Sequence, residues 1–275
     1  MVALSPYCRG PTWALYHADA LRVMSGLHAG TVDLILADPP YHLSNGGTTC
    51  SSGKRVSVDK GQWDRSAGPA DDLRWNIAWL EAARRLLAPD GTIFISGTRH
   101  NIYIVGAALQ QLGFKLLNDI IWEKPAPPPN LSCRYFTHDH ETIIWAARSA
   151  RSRYTFNYPE MKQDNDGKQM KSIWRISPPR PAEKTHGKHP CQKPVDLLSR
   201  LIRAATNPGD LVFDPFAGSC STGVSALQQG RLFVGVDNDS KWLDVGARRM
   251  GFDMALDAVP TRCDDASTTM VKETP

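Results

Sequence analysis

The 275-residue chain has no run of about 18 apolar residues, so no segment reads as a membrane-spanning helix. Its start, Met1-Val2-Ala3-Leu4-Ser5-Pro6, lacks the charged and apolar regions of a signal peptide, which points to the cytoplasm. Cysteine is sparse: six residues, at 8, 50, 133, 191, 220 and 263, with no Cys-x-x-Cys pair. That argues against a zinc site and against a disulfide framework, so reduced structural thiols and no metal are expected. Excess charge is small too. A net charge of +4 does not by itself identify a nucleic-acid partner. Hydrophobic content of 41% and charged content of 22% are ordinary for one substantial core, with room for an inserted subdomain.

What is present centres on Leu34-Ile35-Leu36-Ala37-Asp38-Pro39-Pro40-Tyr41. A short apolar run closed by a breaker reads as a buried strand of a parallel sheet. Ligands of open α/β sheets sit beyond the carboxyl ends of the strands, where Asp38 falls. The two prolines stiffen the turn and remove two backbone donors, leaving carbonyls free to accept. A carboxylate, spare carbonyls and a ring suit a planar group that bears an amine.

Taken in order, residues 1–12 read as a poorly ordered arm. Trp13 to Tyr16 is a short strand, Leu21 to Leu27 a helix stopped by Gly30, and the strand into Asp38 follows, together one βαβ unit. From His42 to Gly68 the composition turns to Gly, Ser, Thr, Asn and Lys, and a mobile lid without regular structure is expected. Lys54, Arg55 and Lys60 equip that lid to touch phosphates. A helix opens at Asp71 and stops at Pro89-Asp90-Gly91; strands at 92–96, 116–123 and 142–147 follow, with a helix over 102–112 between the first two. Strands alternating with helices predict a doubly wound, mostly parallel α/β sheet. Four prolines make 125–130 an unlikely interior element.

The window 148–188 stands apart. It holds ten Lys/Arg against four Asp/Glu, a balance of +6, with Tyr154, Phe156, Tyr158 and Trp174 interleaved. Bases and rings together fit backbone neutralisation with base or sugar contacts, so the window is expected to recognise DNA through Lys162, Lys168, Lys171, Arg175 and Arg180. A solvated, loop-rich insertion is the plain alternative. Helices follow over 195–205, 224–229 and 242–250, with strands at 211–213 and 232–236 and a frayed polar tail after about Pro260.

A second motif, Asp214-Pro215-Phe216-Ala217-Gly218-Ser219-Cys220-Ser221-Thr222-Gly223, joins a buried strand to a helix. Glycine at such a turn lets a ligand approach backbone amides. Twenty-three residues after Asp214, Asp237-Asn238 closes the next strand, where an acid can hold ribose hydroxyls. The turn has no Gly-Lys-Ser/Thr ending and no Gly-x-Gly-x-x-Gly, so neither a phosphate-binding loop nor a dinucleotide site is expected. Asp214 is poorly placed beside a pyrophosphate and well placed beside an ammonium. S-adenosylmethionine combines an amino-acid end, a ribose and an adenine, which matches an acid at each strand end.

Asp38-Pro39-Pro40-Tyr41 resembles the catalytic motif of the DNA amino-methyltransferases, which methylate exocyclic nitrogens of adenine or cytosine. The turn 214–223 resembles their S-adenosylmethionine motif, usually Phe-x-Gly-x-Gly, with Cys220 in place of the second glycine, a change that narrows the backbone approach to the methionine moiety. His189-Pro190-Cys191-Gln192-Lys193-Pro194 resembles their segment before the cofactor strand, which implies Lys193 near the methionine end, and Asp19-Ala20 near the adenine. Catalytic motif first, basic region next and cofactor motif last resembles the β group, over roughly residues 13–250.

That resemblance implies a Rossmann-like methyltransferase fold: a catalytic half over 13–147, a target-recognition insertion at 148–188, a cofactor half at 189–255 and a tail at 256–275. It implies Asp38 and the Pro39 carbonyl as acceptors of the target amine, Pro40 as part of the stiff turn, and Tyr41 as the ring stacked on a flipped base. Double-stranded DNA is the expected partner, with a second copy of the chain and a cognate restriction endonuclease as further candidates, and no membrane. Asp in the first motif position, and the loop 43–64, resemble adenine-N6 enzymes of restriction-modification systems. Cytosine-N4 is the runner-up. A non-catalytic DNA-binding protein of the same fold ranks below both, as does glutamine methylation of a protein, whose related turn begins with Asn. Cytosine-C5 chemistry is rejected, because Cys191 lies outside the catalytic turn.

Overall fold

The computed structural model describes residues 4–51 and 54–251. The expected tail at 256–275 lies outside the described residues. So do the first three positions of the arm.

The elements run β1 (Cys8–Gly10), β2 (Trp13–His17), α1 (Ala20–Gly26), β3 (Val32–Ala37), β4 (Thr48–Ser51), β5 (Lys54–Ser57), α2 (Pro69–Leu86), β6 (Leu87–Gly97), α3 (Ile102–Gln111), β7 (Lys115–Glu123) and β8 (His140–Ala147). They continue as α4 (Tyr158–Gln163), β9 (Ile173–Arg175), α5 (Val195–Ala205), β10 (Leu211–Asp214), α6 (Ser221–Gln228), β11 (Leu232–Asp237) and α7 (Ser240–Arg249). Nine strands make one sheet in the order β1-β2-β11-β10-β3-β6-β8-β7-β9. From β2 to β6 neighbours are parallel; β8 is antiparallel to both β6 and β7.

The period-2 pattern of β3 explains its central place. Leu34 and Leu36 face a core shared with α5, α6 and α7, while Ile35 and Ala37 face one shared with α1, α2 and α3. Helices therefore cover both faces, as a doubly wound sheet requires. The chain leaves β3 through α2 toward β6, and leaves β10 through α6 toward β11 on the other side. Because β3 and β10 are neighbours, with Val212 opposite Leu34 and Phe213 opposite Ile35, the strand order reverses between them. A crevice opens there, and both motif turns leave from its floor.

Several expectations change. The N-terminal arm is ordered from Leu4, and β1 pairs antiparallel with β2 at the sheet edge. The lid is not structureless: β4 and β5 form a hairpin, and a 3-10 turn spans Gln62–Asp64. Pro89-Asp90-Gly91 does not stop a helix, since α2 ends at Leu86 and β6 begins at Leu87. Pro69 starts α2, with Asp71 and Asp72 in its first turn and Arg84 and Arg85 in its last, which suits the helix dipole. Inside the basic window, Ile173–Arg175 is the sheet's outermost strand, parallel to β7, and Trp174 is buried. Asn157, at the start of α4, donates to the Arg203 and Thr206 carbonyls at the end of α5, so the window is woven into the domain. Among the described residues no helix is long and apolar enough to cross a membrane.

Candidate active site

Beyond the carboxyl ends of β2, β3, β10 and β11 lies an open cleft of about 1340 Å³. Asp19, Ala20, Asp38, Pro39, Pro40, Tyr41, Lys193, Pro215, Phe216, Gly218, Asp237 and Asn238 line it. A hollow of about 40 Å³ adjoins it, lined by Asp38, Lys193, Asp214, Phe216, Ala217, Gly218, Ser219, Ser221 and Thr222. The two motifs, far apart in sequence, share one space.

Asp38 has both oxygens engaged: Oδ1 accepts the Tyr41 hydroxyl at 2.6 Å and Oδ2 accepts Lys193 Nζ at 2.5 Å. The Tyr41 hydroxyl also stands 2.9 Å from Glu141 Oε2, and Lys193 lies 3.4 Å from that oxygen. Lys124 Nζ reaches Glu141 Oε1 at 2.5 Å. Burial alone pushes the Glu141 pKa up, but Lys193 and Lys124 outweigh it and bring it down to about 2. Burial likewise works against the Lys193 ammonium, and Asp38 and Glu141 outweigh that, so its pKa is raised. Burial, then the two carboxylates, lift Tyr41 well above the ordinary phenol range, so it is a donor. Lys193 thus sits at the catalytic turn, its ammonium 5.0 Å from the centre of the Tyr41 ring.

Asp64, from the lid, holds the turn from behind. Its Oδ1 accepts the Tyr41 and His42 N–H groups at 2.8 and 2.9 Å; its Oδ2 accepts Leu43 N–H at 3.0 Å and Ser44 Oγ at 2.8 Å. Asn101 Nδ2 donates to the Pro40 carbonyl at 3.2 Å, fixing the turn from the α3 side. Neither Asp64, Asn101 nor Glu141 was singled out as a site residue from sequence. Each is a lone polar residue whose contacts with the 38–44 turn span 20 to 100 positions.

In the second motif, Asp214 is buried and accepts Phe216 N–H at 2.9 Å and Thr222 Oγ1 at 2.6 Å. Burial outweighs those bonds and pushes its pKa up to about 7. Asp237 accepts Gly218 N–H at 2.8 Å and Asp239 N–H at 2.9 Å, and burial raises it too. Gly218 has φ +48°, and a Cβ there would meet the His189 imidazole at 3.2 Å, so glycine is required twice over. His189 packs edge-on against Trp242 with ring centres 4.5 Å apart, and burial lowers its pKa to about 4. The Phe216 ring packs against Trp75 and Trp79 on the cleft wall.

Cys220, expected to narrow the backbone approach to the methionine moiety, lines neither the cleft nor the hollow. It takes the left-handed conformation at φ 56° and ψ 39°, where glycine is favoured, and its fully buried side chain points at α7. A Cβ on Gly246 would meet Cys220 Sγ at 2.3 Å, so glycine in α7 makes room for this thiol. Cys191 receives Lys60 Nζ at 2.9 Å, yet burial outweighs that lysine and raises the thiol pKa. A raised thiol is a poor nucleophile, which agrees with rejecting cytosine-C5 chemistry.

Of the expected DNA contacts, Arg55 and Lys60 line the cleft, and Lys54 is exposed on the hairpin beside them. Lys162, Lys168, Lys171, Arg175 and Arg180 are exposed but do not line it, and Arg175 and Arg180 pair with Glu123 and Asp196. Of the rings of the basic window, Tyr154 and Trp174 are packed into the domain while Phe156 and Tyr158 remain exposed. Tyr154 and Phe156 contact Trp145, and Trp174 lies under the Arg200 guanidinium.

Residues 32–248 match the model of a family described as DNA methylase, whose members act on N6 and N4 amines. The chain belongs to this family. It is 48% identical over 246 residues to Type II methyltransferase M2.LlaDCHI of Lactococcus lactis subsp. cremoris, covering 89% of this chain and 91% of that protein. Identity is also 48% over 246 residues to Type II methyltransferase M2.DpnII of Streptococcus pneumoniae, covering 89% of this chain and 92% of that one. Among solved structures, the M1.HpyAVI–SAM complex superposes with a TM-score of 0.65 at 26% identity, covering 87% of this chain and all of that one. The chain is thus a DNA methyltransferase, and its fold is the Rossmann-like one expected of such an enzyme.

The site of this N6/N4 methylase fits S-adenosylmethionine on its own evidence. The ligand brings a sulfonium and an ammonium, and Asp38, Asp214 and Asp237 converge on the cleft and its adjoining hollow. Burial raises two of these acids, Asp214 and Asp237, and a positively charged ligand in the cleft would offset that cost.

Proposed function

We propose that this DNA methyltransferase moves a methyl group to the exocyclic N6 amine of an adenine turned out of duplex DNA. The methyl donor is S-adenosylmethionine. One observation carries the reading: the Asp38-Pro39-Pro40-Tyr41 turn and the Asp214–Thr222 turn leave adjacent parallel strands and open on one cleft.

When bound, S-adenosylmethionine supplies a methyl group activated by the sulfonium charge. The target nitrogen is a poor nucleophile, because its lone pair is delocalised into the ring. Asp38 accepts an N–H from the amine and orients the lone pair away from the ring plane. Transfer would break the methyl–sulfur bond, leaving a neutral thioether, as the nitrogen–carbon bond forms; the nitrogen would become cationic and shed one proton, for which Asp38 is the acceptor in reach. Pro39 offers its carbonyl to the second N–H, and Pro40 keeps the turn stiff. The Tyr41 ring lines the cleft for the base, while its hydroxyl holds Asp38 in place. Positioning and fixed charge supply the catalysis, with no covalent enzyme intermediate. Asp237 would take the ribose hydroxyls, Asp19 and Ala20 would lie toward the adenine, and Asp214, Lys193 and residues 215–222 with Asn238 would hold the rest. Extrusion of the target base explains why the acceptor turn lies deep in the cleft.

Arg55 and Lys60, with Lys54, are the phosphate contacts nearest the target, and the basic window 148–188 recognises the flanking duplex through Lys162, Lys168, Lys171, Arg175 and Arg180. The relatives' name, Type II methyltransferase, supports a modification role beside a cognate endonuclease in a restriction-modification system. Asp in the first motif position favours adenine over cytosine-N4. Nucleoside analysis of DNA methylated by the purified chain decides the base: N6-methyladenine is expected, and N4-methylcytosine alone overturns the assignment. Methylation-sensitive sequencing of DNA from expressing cells then identifies the site.

A further inference from the structure

Each oxygen of the Asp38 carboxylate already accepts one short hydrogen bond from a neighbouring side chain. Tyr41 donates to Asp38 Oδ1 at 2.6 Å and Lys193 Nζ to Oδ2 at 2.5 Å. A target amine needs one of those oxygens. An ammonium beside it is also a hostile neighbour, since the amine nitrogen gains positive charge as it is methylated. An amine on Oδ2 therefore crowds and repels Lys193, which has little water to retreat to, because it is 9% exposed and burying an unpaired ammonium is costly.

Glu141 supplies the alternative. It lies on β8, within the same buried group, and its Oε2 is 3.4 Å from Lys193 Nζ. We propose that Glu141 is a positioning residue: it is the second acceptor onto which Lys193 shifts when the target amine takes Asp38 Oδ2. The inference rests on the amino-methyltransferase reading above.

The rest of the group is built for that exchange. The Tyr41 hydroxyl has one proton and faces two carboxylates, Asp38 Oδ1 at 2.6 Å and Glu141 Oε2 at 2.9 Å. With Lys193 moved onto Glu141, that proton stays on Asp38 and keeps the carboxylate aimed. Lys124 holds the other Glu141 oxygen throughout, so Glu141 is never left uncompensated while Lys193 is away. Two ammonium groups face two carboxylates in either arrangement. The shift moves a charge by a short distance without creating a bare one.

The test is Glu141→Gln, a weaker acceptor for an ammonium, measured beside wild type in single-turnover methylation and in duplex binding. The transfer rate should fall about tenfold or more, while KM for DNA and for S-adenosylmethionine each change less than about threefold, as for a group acting in the transfer step. Without cofactor, wild type should bind a duplex with the target amine more tightly than one in which hydrogen replaces that amine, and Glu141→Gln should lose this preference. In a Lys193→Met background, Glu141→Gln should change the preference by less than about twofold, because its effect passes through Lys193. If Glu141→Gln does not fold, Glu141→Asp carries the test: it keeps the charge at a greater distance and should show an intermediate loss of rate at unchanged KM. A folded Glu141→Gln with the wild-type rate and preference overturns the proposal, as does an equal loss in both backgrounds. No methylation by wild type would instead overturn the reading beneath it.

Discussion

The Asp64 carboxylate accepts the backbone N–H of Tyr41 at 2.8 Å, across 23 positions of sequence. Its other three bonds hold His42, Leu43 and Ser44, so the start of the lid is tied to its far end behind the turn. The lid is therefore the scaffold of the catalytic turn as well as its cover. Asp64→Ala leaves buried donors unsatisfied at about 1–3 kcal/mol each, so a loss near 3 kcal/mol is expected even after water enters. For a domain of this size that lowers Tm by roughly 6–12 °C. The transfer rate should fall more than cofactor affinity. A melting curve within 2 °C of wild type, on the scale set by that estimate of about 6–12 °C, would deny the clasp.

Asp237 is expected to hold both ribose hydroxyls while it also caps its own turn through Gly218 and Asp239 N–H. Hydrogen bonds to a charged group contribute about 1.5–3 kcal/mol each, so Asp237→Ala should weaken S-adenosylmethionine binding about tenfold or more. Asp237→Asn keeps an acceptor for the backbone and separates capping from ribose binding. DNA affinity without cofactor should stay the same for both variants. Calorimetric titration of the folded proteins decides, and an unchanged dissociation constant removes the ribose role.

Asp214 is expected to make stability and cofactor binding depend on pH. Its folded pKa is about 7 against 3.8 for the free group, mainly through burial. Between those values the native state binds the proton and the unfolded state does not, so stability falls as pH rises through that window. A cationic ligand stabilises the ionised form, so S-adenosylmethionine should bind more tightly at pH 8 than at pH 6 and release protons near neutrality. Calorimetry in two buffers of different ionisation enthalpy measures that release. Asp214→Asn should abolish it; persistence in the variant would assign the proton elsewhere.

Two sets of basic residues are expected to divide the DNA contacts. Replacing Arg55 and Lys60 with Ala should reduce the slope of log affinity against log salt by roughly one unit per lost phosphate contact, and slow transfer as well. Replacing Lys168, Lys171 and Arg175 should reduce the slope alike but leave the single-turnover rate at saturating DNA near wild type. Arg175 is paired with Glu123, so its share should be the smallest. Unchanged affinity and slope for the second set would make the basic window a solvated part of the domain.

Local chemistry alone placed the central strands and the two turns. An apolar run broken by Asp-Pro-Pro can close only as a strand end. The helices over 195–205 and 102–112 were legible from period and breakers, since their apolar faces repeat at helical spacing. Both motifs, and the acid that ends β11, were readable because each is contiguous. The lid hairpin and the outermost strand at 173–175 were not, because polar, short segments gain their strand form from pairing partners.

The tertiary structure decided everything that depends on distance. Sequence identified Asp38, Tyr41 and Lys193 one by one; folding brings Lys193 within 2.5 Å of Asp38 across 155 positions and places Glu141 between Lys124 and Lys193. Cys220 read as an obstruction in a linear motif, yet its left-handed backbone turns the side chain toward Gly246 and away from the cleft. The physical reason is common to all three cases. Burial sets what a carboxylate, an ammonium or a thiol can do, and burial is fixed by which elements pack together, so residue identity alone does not carry it.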